Sequence, residues 1–95
     1  MDVTFSGEIF YWRGPSPFYF VAVPEDESTD IQATSTSVSY GWGMIPVTAR
    51  VGTTEWTTAL FPKDGKYYLP LKDAIRKAES LQEGTTITAT LHIAL

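Results

Sequence analysis

Val3, Phe5, Gly7, Ile9 and Tyr11 alternate with mostly polar residues, the period of two that a strand needs when one face is buried and the other is wet. Phe10 and Trp12 interrupt the polar series near its end, which predicts cover on both sides there. Gly14-Pro15-Ser16-Pro17 forbids regular pairing and turns the chain. Residues 18–23, FYFVAV, then read as a second, well-buried strand, aromatic and β-branched as such strands prefer. Together the two make a hairpin. Pro24 ends the second strand, because it has no amide hydrogen for a ladder. Glu25, Asp26 and Glu27 place negative charge where a helix N-terminus favours it. Only Ile31, Ala33 and Val38 offer apolar anchors among the serines and threonines that follow, so the pattern predicts a weak helix near residues 25–34 and then loop.

Tyr40-Gly41-Trp42-Gly43 reads as a flexible aromatic hinge into a strand over residues 45–51. Gly52-Thr53 has the size and chemistry of a two-residue hairpin turn with glycine at its first central position. The returning strand over residues 55–61 sets Trp56, Thr58 and Leu60 against Thr57, Ala59 and Phe61. Pro62-Lys63-Asp64-Gly65 is a second tight turn, and residues 66–69 are the fifth strand. Pro70 sits where a helix would begin, its φ already suitable. Leu71, Ala74, Ile75 and Ala78 form the apolar stripe of that helix; Asp73 and Lys77 are spaced for an i,i+4 pair; Gly84 stops it. The last strand, residues 85–95, points Ile87, Ala89, Leu91, Ile93 and Leu95 one way and Thr86, Thr88, Thr90 and His92 the other.

One unit occurs twice in this series. Phe20-Val21-Ala22-Val23-Pro24 aligns with Lys66-Tyr67-Tyr68-Leu69-Pro70, each a strand stopped by proline before a helical segment. A glycine (Gly43, Gly84) and an alternating strand follow each, and another strand precedes each. Each copy is β-β-α-β, and neither can bury its apolar face alone. Two such halves predict a mainly β protein, a small closed six-stranded double-split β-barrel capped by short helices; closure also removes exposed strand edges.

The chain has 95 residues, one domain over residues 1–95 on any length prior. The absence of cysteine excludes disulfides, thiolate metal sites and thiol nucleophiles. Met1-Asp2-Val3-Thr4 lacks the basic end and apolar run of a signal peptide, and no apolar stretch is long enough to span a bilayer. A cytoplasmic address with no membrane association is the expectation. A net charge of −4 argues against broad nucleic-acid binding, although Lys63, Lys66, Lys72, Arg76 and Lys77 gather on one stretch.

The second copy, YYLPLKDAIRKAESLQEGTTITATLHI, resembles the swapped-hairpin unit of AbrB-type transition-state regulators and MazE-type antitoxins. Those proteins build the barrel from two chains, whereas both units lie in one here. The whole chain more closely resembles a bacterial family catalogued as domain of unknown function nineteen-oh-five. Gly43-Met44-Ile45-Pro46-Val47, Trp56, Leu60-Phe61-Pro62, Leu69-Pro70, the run from Ala74 to Glu79 and Gly84 carry that resemblance. It implies the barrel and no activity. Met44 stands where a basic residue is expected, and Thr85 where an acidic one is usual.

Candidate chemistry is sparse. His92, the only histidine, has no partners clustered around it in sequence, and Glu25, Asp26, Glu27 and Asp30 match no cation loop. No nucleophile elbow, P-loop, dinucleotide fingerprint or zinc motif occurs; no catalytic residue, metal ligand or cofactor is assigned. Trp12, Arg13, Tyr40 and Trp42 lie in glycine-containing connections, where large aromatics make recognition surfaces; alternatively the tryptophans plug a barrel end. The five basic residues either contact phosphates, as in AbrB-type regulators, or form an ordinary solvated face. The expectation is a monomeric, non-catalytic binding or interaction module for an unknown small molecule or protein. The alternative is an AbrB-like DNA-binding regulator or antitoxin-like domain, with an enzyme third.

Overall fold

The computed structural model describes residues 1–15 and 17–95, and in it the period-two stretches become strands. They are β1 (Asp2–Trp12), β2 (Phe18–Ala22), β3 (Ile45–Val51), β4 (Thr54–Lys63), β5 (Lys66–Pro70) and β6 (Thr86–His92). All neighbours are antiparallel, and the order β1-β2-β5-β4-β3-β6 closes on itself. Val3, Phe5, Ile9, Val21, Val47, Ala49, Leu60, Leu69, Ala89 and Leu91 point inward and are buried. Leu95, predicted to continue that inner row, is exposed, because β6 ends at His92.

The duplication survives as geometry. Exchanging β1, β2 and β3 with β4, β5 and β6 leaves the strand order unchanged. Registers follow as well: the pair Asp2↔His92 maps onto Glu55↔Arg50, and Ile9↔Val21 maps onto Pro62↔Tyr67. Both mappings displace β1 onto β4 by the same number of positions.

Helix α1 (Glu25–Ser35) runs one residue beyond the expected 25–34 and continues as a 3-10 turn, Thr36–Val38. Its inward face is Ser28, Ile31 and Ser35, while Ala33 is exposed. The Ser28 hydroxyl donates to Val23 O at 3.0 Å and accepts from Tyr67 N–H at 3.1 Å. Val23 N–H in turn donates to Tyr67 O at 2.9 Å. A serine thus stands inside the β2–β5 ladder, just where Pro24 takes the chain out of it. Burial pushes the Tyr67 phenol above its ordinary pKa.

Helix α2 (Asp73–Ala78) differs more from expectation. Pro70 does not begin it; it is the last residue of β5 and pairs with Phe20. An edge of that ladder tolerates a residue without N–H. Leu71 and Ile75 are buried, but Ala74 and Ala78 are exposed, so the stripe is half as wide as predicted. The helix ends at Ala78, where Glu79 caps it and Ser80 turns with φ 53°, well before Gly84. Asp73 pairs with Arg76 rather than with Lys77.

The predicted four-residue turn shrinks likewise. Pro62 and Lys63 belong to β4, opposite Tyr67 and Lys66. The turn is Asp64-Gly65 alone, with φ of 52° and 77°, the left-handed pair that a two-residue hairpin requires. The turn expected around Gly14-Pro15-Ser16-Pro17 falls partly on Ser16, outside the described residues. Tyr40-Gly41-Trp42-Gly43 is not an open hinge: Tyr40 and Met44 exchange backbone bonds at 2.9 Å, closing a small loop with Trp42 at its tip.

Candidate functional site

Strand parity sends every second side chain outward, and β1 changes character along its length. Thr4 and Ser6 face Thr90 and Thr88 of β6, and their hydroxyls bond across the ladder at 3.3 and 2.8 Å. Asp2 and His92 extend this polar row, with His92 Nδ1 2.6 Å from Asp2 Oδ1. An ionised carboxylate only accepts, so Nδ1 carries the hydrogen. That bond holds the Asp2 carboxyl below its ordinary pKa.

A depressed carboxyl pKa adds stability at pH above the unfolded value, about 3.9, and that stability disappears as pH falls through the folded value. His92→Ala should return the Asp2 midpoint to the ordinary range in a carboxyl-carbon NMR titration. An unchanged midpoint would show that another group depresses it. The neighbouring hydroxyls bond to each other, not to His92. Among the described residues no group of three or more His, Cys, Asp or Glu side chains converges to hold a metal.

Further along β1, Phe10 and Trp12 take the outward positions. They lie beside Phe18 and Phe20 of β2, Tyr68 of β5 and Phe61 of β4, four adjacent strands of the closed order. Phe10 is paired with Phe20, and Phe61 with Tyr68. Phe20 is the hub: the centroids of Phe10, Trp12, Phe18, Phe61 and Tyr68 lie 6.2, 6.4, 5.8, 5.8 and 6.4 Å from its own. Most contacts are tilted or edge-on, the arrangement that ring quadrupoles favour. The rings wall a trough of about 430 Å³, which Pro62, Lys63 and Asp64 also line. That volume lies within the roughly 300–1,000 Å³ of small-molecule sites.

These rings correct the reading of β2 as well buried. Only Val21 of Phe18–Ala22 is buried; Phe18 and Phe20 are half-exposed on the outer wall. Nor is the end of β1 covered on both sides, since Phe10 and Trp12 remain half-buried. Of the four residues singled out from sequence, Trp12 lines the trough. Tyr40 lines a smaller adjoining hollow of about 330 Å³, with Met44, Pro70 and Lys72; Phe18 and Phe61 border both. Trp42 is 97% exposed at the loop tip, so it plugs no barrel end. Arg13 lies over the Tyr11 ring at 5.1 Å, away from both hollows. Phe10, Phe18, Phe20, Phe61 and Tyr68 were not singled out; the available signal was the off-parity Phe10 and Trp12.

The basic residues also part company. Lys63 Nζ rests 4.7 Å from the Trp12 ring centroid, inside the trough. Lys66 is its cross-strand partner, and Lys72 borders the second hollow. Arg76 lies 3.9 Å over Tyr19 while pairing with Asp73. Tyr19 and Tyr11 are 4.7 Å apart, so Arg76, Tyr19, Tyr11 and Arg13 form one cation–π ladder binding α2 to the first hairpin. Lys77 is exposed.

No helix among the described residues is long and apolar enough to cross a membrane. Comparison with known proteins gives a family without a function: a family model described as a domain of unknown function (DUF1905) matches residues 5–91, from β1 to β6. No curated protein matches the chain.

Proposed function

Because the chain belongs to the DUF1905 family, whose description carries no activity, we propose its function from the trough itself: a non-catalytic module that binds an apolar small molecule on its outer aromatic wall. One observation carries this reading. Six aromatic side chains from four strands converge around one concavity, with Phe61 still 41% exposed. Rings needed only for the core would lie on the inner face, where Phe5 and Tyr67 join the aliphatic side chains. Trp12 belongs to this surface and Tyr40 (53% exposed) continues it, whereas Trp42 and Arg13 lie outside both hollows. We read residues 1–95 as one domain acting as a monomer, since a chain that closes its own barrel needs no second copy to complete its core.

The alternative is an AbrB- or MazE-like domain contacting DNA. The exchangeable β-β-α-β halves and the adjacent Lys63 and Lys66 favour it. Against it, Lys63 leans on Trp12 and Arg76 on Tyr19 and Asp73, which leaves fewer cations for phosphates. The net charge of −4 weighs the same way.

N-phenylnaphthylamine, a neutral apolar fluorophore, provides the test. It is expected to bind saturably, with energy transfer from tryptophan, and to lose about tenfold in affinity in Phe20→Ala. Absence of saturation, or equal affinity in Phe20→Ala, would overturn the assignment of the trough.

A further inference from the structure

The lining of the trough includes charged side chains as well as rings. Lys63 Nζ is held over the Trp12 indole, and the same ring abuts the Gly14 backbone so closely that a Cβ there would collide with it. Neither ion pair among the described residues includes Lys63. Its ammonium therefore sits against an aromatic ring on an exposed side chain, with a cation–π contact but no ion-pair partner. Asp64 also lines the trough. The lining thus carries one charge of each sign, and of the two it is Lys63 that is held against a ring, with Lys66 its cross-strand neighbour.

We infer that the trough is selective for flat apolar monoanions, a one- or two-ring body bearing a carboxylate or sulfonate, with Lys63 receiving the anionic group and the rings of Phe10, Phe20, Phe61 and Tyr68 receiving the body. This rests on the reading of the trough as a ligand site. Three features of the wall support it. Its volume, about 430 Å³, suits a molecule of that size. Phe20 stands at 87° to Phe61 and at 80° to Tyr68, and Phe10 at 77° to Tyr68. Rings set at such angles can present edges as well as faces to a ligand, and edges carry the positive part of the quadrupole. A cationic ligand, finally, meets a place already taken: it would have to displace Lys63 from the indole or lie beside it, like charge against like. An anion gains a charge-assisted hydrogen bond from the Lys63 ammonium.

The test compares two isosteric probes, naphthoate and naphthylmethylammonium, by fluorescence titration of the intact chain at low salt. Naphthoate should bind about tenfold more tightly. Lys63→Gln, which keeps most of the side chain and removes the charge, should abolish the difference, whereas Lys77→Gln, exposed and outside both hollows, should leave it unchanged. Equal affinity of the two probes for the natural chain, or a preference that survives Lys63→Gln, would overturn the inference while the trough remains a site for neutral apolar molecules. Failure of both probes and of neutral N-phenylnaphthylamine to saturate would remove the trough itself as a site.

Discussion

Ser28→Ala should destabilise the fold by about 3 kcal/mol, a large effect for the loss of one oxygen from a helix of serines and threonines. Ser28 is buried, and its hydroxyl joins Val23 O to Tyr67 N–H where the β2–β5 ladder would otherwise break. Alanine leaves an acceptor and a donor buried without partners, each costing roughly 1–3 kcal/mol. In urea unfolding the midpoint should fall with an unchanged slope, and the thermal midpoint should drop by roughly 15 °C for a domain of this size. Thr29→Ala is the control: its exposed hydroxyl donates to Glu25 O within the same helix, and its removal should change stability by no more than about 0.5 kcal/mol. Similar losses in the two variants would mean that the bridge carries no special stability.

The second large effect concerns neighbours on opposite faces of β4. Leu60 is wholly buried in the barrel, whereas Phe61 is 41% exposed on the trough wall. Leu60→Ala removes apolar contacts and leaves a cavity, for an expected cost of about 3 kcal/mol. Phe61→Ala removes a larger side chain yet should cost less than about 1.5 kcal/mol, because what it loses is an edge-on contact with Phe20 and partly wet surface. Binding of N-phenylnaphthylamine should show the reverse order, weakened in Phe61→Ala and kept in Leu60→Ala wherever the latter is folded. If Phe61→Ala destabilised the fold as much as Leu60→Ala, the aromatic wall would be structural rather than a surface for ligands.

The contrast explains which parts of this molecule could be read in its sequence. Period-two stretches, prolines and glycines were enough for the strands and for the repeat, because closing a barrel from two β-β-α-β units constrains every inward position. Helix boundaries were harder. Pro70 can start a helix or end a strand, and only pairing with Phe20 decides between them. Helix α1 buries Ser28 and Ser35, and no hydrophobic pattern marks a serine as an inward residue. The trough was legible in part. Phe10 and Trp12 stand off the inner parity of β1, but FYFVAV reads equally as a strand covered on both faces. Which face Phe18 and Phe20 share with Phe61 and Tyr68 depends on the order β1-β2-β5-β4, a long-range property. Trp42, attractive as a lone tryptophan between glycines, ends at a loop tip outside both hollows.

The exchange of halves that preserves strand order and register does not preserve the aromatic wall. It carries Phe10 and Phe20 to Lys63 and Lys66, and Phe61 and Tyr68 to Glu8 and Ala22. Some inward positions keep their kind under the same exchange, Val47 answering to Ala89 and Val21 to Tyr67, whereas buried Ile9 answers to exposed Pro62. The two halves thus stay alike in part of the core and diverge on the outer wall. A pseudo-symmetric scaffold that repeated this wall would offer ligands two equivalent surfaces; here the exchange turns the rings into lysines, a glutamate and an alanine, so the surface proposed for ligands has no symmetry mate among the described residues.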